Sequence, residues 1–449
     1  MSIILILTVL SLAMLMGMLI GLLPGLPGMI GVIILLPVFA HWPVEAILLF
    51  FSCYICVTQY FGSVSALLFR VPGESSSIPA LEVALKLKNF TSIVKAYRTT
   101  AFTSLVGALI GIVLFVILFS IFRHNWPYLF STKFIVAFLT VLIILLITQD
   151  KKYLSNTLML IAGLILSHIN ELPILNTVCK SVDWLCFLRS PAESTLILIS
   201  LYCIPLLLLK SAMIPKINTE TAGYSPKWSR IFPFRNLGLK HGLLGFFTGF
   251  APGAGLTLAS NLSNSIERQN NPRKLLSQIG AAEAANNAAA ISCTIPFLFL
   301  GLPITASELI IDNFLASKFY RLNLSTLDAL LPIAGYPIRF TLLLISCMLV
   351  VNLISFFLCG NFIRFYRCIM SAKTSWYIII VKLLVISSMI AIVISSGISW
   401  TSAVFTVIIF GGIGIWADQK GKNIIGLAMM LVMGPFVVQK FLLAYNLYF

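Results

Sequence analysis

Acidic residues are scarce in this chain. Of 449 residues, 14 are Asp or Glu against 30 Lys or Arg, and charged residues of both signs make up only 10%. A soluble domain of this length carries a far more charged surface, so a water-soluble globular fold is excluded. Histidine is scarcer still: His41, His124, His168 and His241 lie far apart, and the nine cysteines have no zinc-ligand spacing, so no transition-metal site is expected. No two aspartates occupy separate predicted spans, no His-bearing metalloprotease motif occurs, and no Ser lies beside a plausible His base within a common motif. An intramembrane enzyme would lack its reactive set. The N-terminal apolar run has no basic segment before it, and no cleavable signal peptide is expected.

Apolar sequence is what the chain has in abundance: 59% of residues are hydrophobic and the mean hydropathy is +1.02. Runs of bilayer length, about 20 residues, lie roughly at 2–23, 43–70, 98–122, 133–149, 153–170 and 193–214, then near 238–262, 282–303, 326–359, 376–396, 398–417 and 422–446. The expected fold is an all-α polytopic membrane protein of about twelve transmembrane or re-entrant helices, with 28–40 and 326–359 as candidates for re-entrant or split helices. Basic residues cluster in loops: Lys86, Lys88, Lys95 and Arg98; Lys216, Lys227, Arg230, Arg235 and Lys240; Arg364, Arg367 and Lys373. The positive-inside rule makes these loops cytoplasmic, which accounts for the net charge of +16 without nucleic acid. Residues 215–237, basic and containing Pro215, Pro226 and Pro233, read as a linker between a first half, 1–214, and a second, 238–449.

The halves share a motif. GMLIGLLPG, Gly17 to Gly25, returns as GFFTGFAPG, Gly245 to Gly253. In each copy two glycines four apart permit close backbone approach, and Pro-Gly then breaks the helix where lipid offers no partner for open backbone. Pro24, Gly25, Pro27 and Gly28 in the first half, and Ala251, Pro252, Gly253 and Gly255 in the second, would therefore present free amides and carbonyls inside the membrane. Repeated broken helices of this kind form the substrate sites of many secondary transporters. A tightly packed glycine kink is the plainer reading of either copy alone.

Two further elements carry polar chemistry. Phe69-Arg70-Val71-Pro72-Gly73 followed by Ser75, Ser76 and Ser77 parallels Leu300-Gly301-Leu302-Pro303 followed by Thr305 and Ser307. Hydroxyls and free amides at a helix start can bind carboxylate oxygens, although taken alone simple N-capping is the readier explanation. Arg70 suits either a substrate carboxylate or the interface. Glu283-Ala284-Ala285-Asn286-Asn287 sets an acid and two amides among alanines, giving oxygen ligands for sodium or a proton carrier. Cys53 and Cys56 read as small buried residues, whereas Cys179 and Cys186 share a loop in which a disulfide would require an extracytoplasmic location.

In order and spacing these blocks resemble the large permease subunit of tripartite tricarboxylate transporters, the TctA family, of which this chain would be a divergent member. GMLIGLLPGLPG is similar to the first Gly-Pro block of that family, and YFGSVSALLFRVPG, with Ser63 and Ser65, to its Gly-Ser-rich span. GFFTGFAPGAG, EAANNAA and LGLP resemble the second-half block. The resemblance implies a cation-coupled importer of tri- or dicarboxylates, with a small four-span membrane subunit and an extracytoplasmic solute-binding protein as partners, in the cytoplasmic (inner) membrane of a prokaryote. It needs no cofactor beyond Na+ or H+ as coupling ion. Candidate substrate-binding residues are Pro24, Gly25, Pro27, Gly28, Ser63, Ser65, Gly73, Ser75, Ser76, Pro252, Gly253, Gly255, Thr305 and Ser307; candidate ion-coupling residues are Glu283, Asn286, Asn287 and Ala251. The chain departs from the family in Pro303-Ile304, where Pro-Gly is usual, and in Glu74, which adds a negative charge beside a proposed anion site. A membrane-embedded enzyme and a channel are the alternatives. By transporter precedent the halves are expected to be inverted repeats.

Overall fold

The computed structural model describes residues 1–22, 28–69, 75–87, 90–124, 132–148, 152–168, 191–208, 232–253, 255–271, 273–317, 338–361, 398–420, 422 and 424–448, with scattered positions between 379 and 394. Every regular element among them is helical, as expected where the backbone has no water to bond to. We number the helices α1 (Ile3–Leu22), α2 (Met29–Phe39), α3 (Val44–Phe69), α4 (Ile78–Lys86), α5 (Phe90–His124), α6 (Thr132–Thr148), α7 (Tyr153–Ser167) and α8 (Pro191–Leu208). After these come α9 (Arg235–Thr248), α10 (Gly255–Asn270), α11 (Leu275–Ser292), α12 (Thr294–Leu300), α13 (Ala306–Ser317), α14 (Ile338–Asn361), α15 (Trp400–Gln419) and α16 (Ile425–Tyr448). Short 3-10 turns occupy Ser75–Ser77 and Phe232–Phe234.

Among the described residues, five helices are long and apolar enough to cross a membrane: α1, α3, α5, α14 and α15. Others are shorter for identifiable reasons. The expected span at 238–262 is interrupted at Ala251-Pro252-Gly253 and becomes α9 and α10; that at 282–303 divides at Cys293 into α11 and α12. The 28–40 segment is the 11-residue α2, about 16 Å long and roughly half a hydrocarbon core. From Ile338 onward the 326–359 segment is one continuous helix, while 318–337, residues 209–231 (which include 215–231 of the expected linker), and Cys179 and Cys186 lie outside the described residues; the rest of that linker, 232–237, is a 3-10 turn and the start of α9.

Glycine contacts fix the directions of the central helices. Gly17 and Gly21 of α1 press on Val57 and Phe61 of α3, advancing together along both chains, so α1 and α3 run parallel. Gly245 and Gly249 of α9 press on Ala285 and Ala289 of α11 in the same manner. The separation in sequence between glycine and partner is identical in the two halves. Gly107 and Gly111 of α5 meet Ala284 and Ala288 of α11, and Gly238 and Gly242 of α9 meet Val106 and Ile110 of α5. Thus α5, α9 and α11 form a parallel trio with touching backbones, the close packing that small residues permit in membranes. Between α3 and α11 the sense reverses: Gln59 meets Asn286, whereas Ser63, further along α3, meets Glu283, further back along α11. These two helices are antiparallel.

The apolar window of α3 is wholly buried, with α1, α4, α5, α11 and α14 packed around it. A flanking group contains α6 and α7 against α16, and α8 against α15; α13 touches α2, α8 and α16 and joins it to the centre. Outward faces of α1 and α5 expose Ile3, Ile4, Leu7, Val113, Ile117 and Ile121, the apolar coat a bilayer requires. Cys53 and Cys56 are buried and free.

Candidate ion and substrate site

The antiparallel crossing of α3 and α11 gathers polar side chains in an apolar interior. The Ser63 hydroxyl donates to Glu283 Oε2. Asn286 Nδ2 donates to Gln59 Oε1 at 3.0 Å, and the Ser76 hydroxyl donates to the same oxygen at 3.3 Å. Asn287 Nδ2 bonds back to the Glu283 carbonyl at 3.0 Å. Glu283, Asn286 and Asn287 are all buried, and none of the salt bridges among the described residues involves Glu283. Each of the three retains a side-chain oxygen with no hydrogen-bond partner among the described residues: Glu283 Oε1, Asn286 Oδ1 and Asn287 Oδ1. At positions i, i+3 and i+4 they share one side of α11.

Both helix breaks flank this crossing. Of the first, Pro24, Gly25 and Pro27 lie outside the described residues, but its two ends are placed. Gly21 packs on Thr58 and Phe61, and the Gly28 carbonyl accepts a 2.5 Å hydrogen bond from the Tyr54 hydroxyl. Tyr54 and Gln59 are about 7.5 Å apart along α3. At the second break Gly253 has φ 69°, a left-handed conformation that favours glycine, and it is exposed. Its N–H donates to the Ile304 carbonyl at 2.8 Å. Pro252 is buried, Ala251 half-buried, and Gly255 lies against the backbone of Gly249, which itself rests on Ala289 and Ser292.

The hydroxyl-rich loops close on the same region. Ser260 of α10 donates to the Ser76 carbonyl at 2.7 Å, so the loop after α3 is docked on the helix that follows the second break. Ser65 is buried; Gly73 and Arg70 lie outside the described residues, and the Ser75 side chain is among those not described. Thr305 caps α13. Its hydroxyl accepts from the Glu308 N–H at 3.3 Å, while Glu308 Oε2 accepts from the Thr305 and Ile304 N–H groups at 2.9 and 2.8 Å, a reciprocal capping box. Ser307 stands half-buried in the first turn of α13.

Several of these residues escape a reading of the sequence. Gln59, the shared acceptor, is the one glutamine of α3, and an amide in a buried apolar span is itself a signal. Glu308 and the pair His241 and Glu267 are others. His241 Nε2 lies 3.2 Å from Glu267 Oε1, Lys240 Nζ lies 3.8 Å from the same oxygen, and Asn271 Nδ2 donates to Glu267 Oε2 at 3.1 Å. This second polar knot ties α9 to α10 and the turn after it. No cluster of three or more His, Cys, Asp or Glu suited to a metal occurs among the described residues.

A sequence profile described as "Tripartite tricarboxylate transporter TctA family" matches residues 7–429, nearly the whole chain. The chain belongs to the TctA family. That family is one of transporters rather than enzymes, and its tripartite character implies partner subunits. An Agrobacterium vitis protein described as "Uncharacterized 52.8 kDa protein in TAR-I ttuC' 3'region" is 26% identical over 308 residues. The matched stretch covers 64% of this chain and 59% of that relative's length. No solved structure matches the chain.

Proposed function

We propose that this TctA-family chain is the large membrane subunit of a cation-coupled importer of small carboxylates, tri- or dicarboxylate in type. The three buried oxygens of Glu283, Asn286 and Asn287 that have no donor among the described residues carry the reading. An acceptor removed from water without a donor is costly, and a proton or cation relieves the cost. Neutral amide and carboxylate oxygens suit a hard monovalent cation, with carbonyls near Ala251 to Gly253 as further ligands. The carboxylate would meet the breaks around Pro24 and Pro252 and the hydroxyls of Ser63, Ser65, Ser75, Ser76, Thr305 and Ser307. Since the Gly253 N–H is engaged by Ile304, amides elsewhere in the break would supply the donors. The expected partners are a small four-span subunit and an extracytoplasmic solute-binding protein, in the inner membrane of a prokaryote.

The halves 1–214 and 238–449, joined by the linker 215–237, fit inverted repeats. Parallel pairing of α1 with α3 and of α9 with α11, together with antiparallel α3 and α11, supports this: α1 and α9 then run in opposite directions. A two-fold axis in the membrane plane would pass close to Gln59 and Asn286.

Counterflow uptake by proteoliposomes holding the assembled transporter, with a panel of mono-, di- and tricarboxylates under separate sodium and proton gradients, tests the reading. Asn287→Ala should raise the sodium concentration for half-maximal uptake on the order of tenfold, the scale of one lost charge-assisted contact. Sodium dependence unaltered in Asn286→Ala and Asn287→Ala, with proton-driven uptake abolished by Glu283→Gln, would make Glu283 a proton carrier and remove sodium. No carboxylate uptake under either gradient would overturn the function itself.

A further inference from the structure

Away from the crossing, a cavity of about 390 Å³ opens where the parallel trio begins. Its walls come from three places: Ser92 and Lys95 of α5, Phe234 just before α9, and Arg273, Lys274 and the first turn of α11, with Leu87 completing the rim. Among the described residues, three cations line it and no acid does. Because α5, α9 and α11 run parallel, their N-terminal ends converge here, and each contributes the positive end of a helix dipole. Lys274, the cap residue of α11, provides no side-chain acceptor for the first-turn N–H groups of that helix. Arg273 and Lys274 are exposed and enter none of the ion pairs among the described residues.

The remaining lining is mixed. Ser92 and Ser277 offer hydroxyls, whereas Leu87, Phe234, Leu275 and Leu276 are apolar. A bare inorganic anion would use the cations and leave the apolar wall wet. A ligand with an anionic head and a hydrocarbon neck uses both. By the positive-inside rule the basic loops place this end at the cytoplasmic face, where anionic lipids contribute surface charge and basic pockets between helices hold phosphate headgroups. The volume lies within the range of small-molecule pockets.

We propose that this cavity is a phosphate-binding site occupied by the headgroup of an anionic phospholipid of the cytoplasmic leaflet. Arg273, Lys274 and Lys95 hold the phosphate, Ser92 and Ser277 donate hydrogen bonds to it, and Leu87, Phe234, Leu275 and Leu276 cover the glycerol and first acyl carbons. The site is independent of the transport reading, since it uses none of the residues at the crossing of α3 and α11.

Native mass spectrometry and thermal melting of the purified full chain test it, with phosphatidylglycerol, phosphatidylcholine, inorganic phosphate and citrate added separately. Phosphatidylglycerol should be retained and should raise the melting temperature; phosphatidylcholine should do neither. Each cation near an anionic headgroup is worth a factor of about five in affinity, so Arg273→Gln with Lys274→Gln should weaken retention roughly 25-fold. Lys420→Gln with Lys422→Gln, at the far end of α15, should leave it within about twofold. Stabilisation by inorganic phosphate alone, lost in the same double variant, would make the ligand a soluble phosphate and overturn the lipid assignment. Preference for citrate over both would overturn the phosphate class. Equal retention of the two lipids, or equal loss in both double variants, would overturn the site.

Discussion

Asn286 Nδ2 and Gln59 Oε1, 3.0 Å apart, join the two halves of the chain at positions that nearly correspond. When Gly17 is aligned with Gly245, Thr58 falls on Asn286 and Gln59 on Asn287. The amide contact therefore lies where α3 and α11 cross in opposite senses, as the proposed inverted pair would require. Gln59 Oε1 already receives two donors, from Asn286 and Ser76, which fills both lone pairs.

Removing that acceptor should act through its partners. Gln59→Leu strands the Asn286 amide and the Ser76 hydroxyl, and uptake should fall by an order of magnitude or more while membrane insertion persists. In a double-mutant cycle, Gln59→Leu combined with Asn286→Ala should be little worse than the poorer single variant. Full additivity of the two losses in uptake assays would mean that the contact carries no function.

Close helix approach predicts a contrast among glycines. A Cβ at Gly107 would overlap the Ala284 carbonyl oxygen, so Gly107→Ala should wedge α5 from α11 and cost about 1–3 kcal/mol. Among the described residues, a Cβ at Gly62 or Gly412 meets nothing within 4 Å. Alanine at those two should be neutral or stabilising by up to about 1 kcal/mol, as helix propensity dictates. Thermal melts of the purified variants measure the difference, and equal shifts at Gly107 and Gly62 would contradict the close packing.

The second break rests on backbone handedness. Gly253 and Gly301 hold φ 69° and 63°, so alanine at either should cost about 1–2 kcal/mol, and valine more. At Gly253 transport should fall further than stability, because the residue stands in the exposed break. Wild-type uptake rates by a well-inserted Gly253→Val would reduce the break to a linker.

The capping box at the start of α13 should separate stability from coupling. Glu308→Ala removes the acceptor of two N–H groups and should lower stability by about 1–3 kcal/mol, read as a drop in melting temperature. The sodium concentration for half-maximal uptake should stay where it was. A shift in that value at unchanged melting temperature would assign Glu308 to the transport site instead.

Opposite directions of α1 and α9 predict opposite reactivity of their N-terminal ends. In a cysteine-free background, Ser2→Cys should react with an impermeant maleimide added from outside, and Leu239→Cys only in inside-out vesicles. Reaction of both from the same side would contradict inversion.

Much of the centre is legible in the sequence because its signals are local. Pro-Gly breaks declare themselves through the chemistry of two residues, and Glu283, Asn286 and Asn287 stand out against alanine. Gln59, masked by Thr58 and the aromatic Tyr60 and Phe61, becomes visible only when the glycine alignment is carried forward into α3. Glu308 and the His241 and Glu267 pair depend on partners brought close by turns, which hydropathy does not record. The division at Cys293 has no Pro-Gly signal of its own and falls inside a run of bilayer length, so hydropathy reads α11 and α12 as one span.

The parallel trio has a mechanical consequence. Where backbone rests on backbone, at Gly107 on Ala284 and Gly245 on Ala285, there are no long side chains to change rotamer and absorb a shear. Sliding such helices would require separating main chains in contact. The seam between α3 and α11 is of the other kind, held by flexible amides and a hydroxyl that can exchange partners over a short travel. Rocking of α5, α9 and α11 as one block would shear that seam first, and the oxygens with no donor among the described residues lie along it.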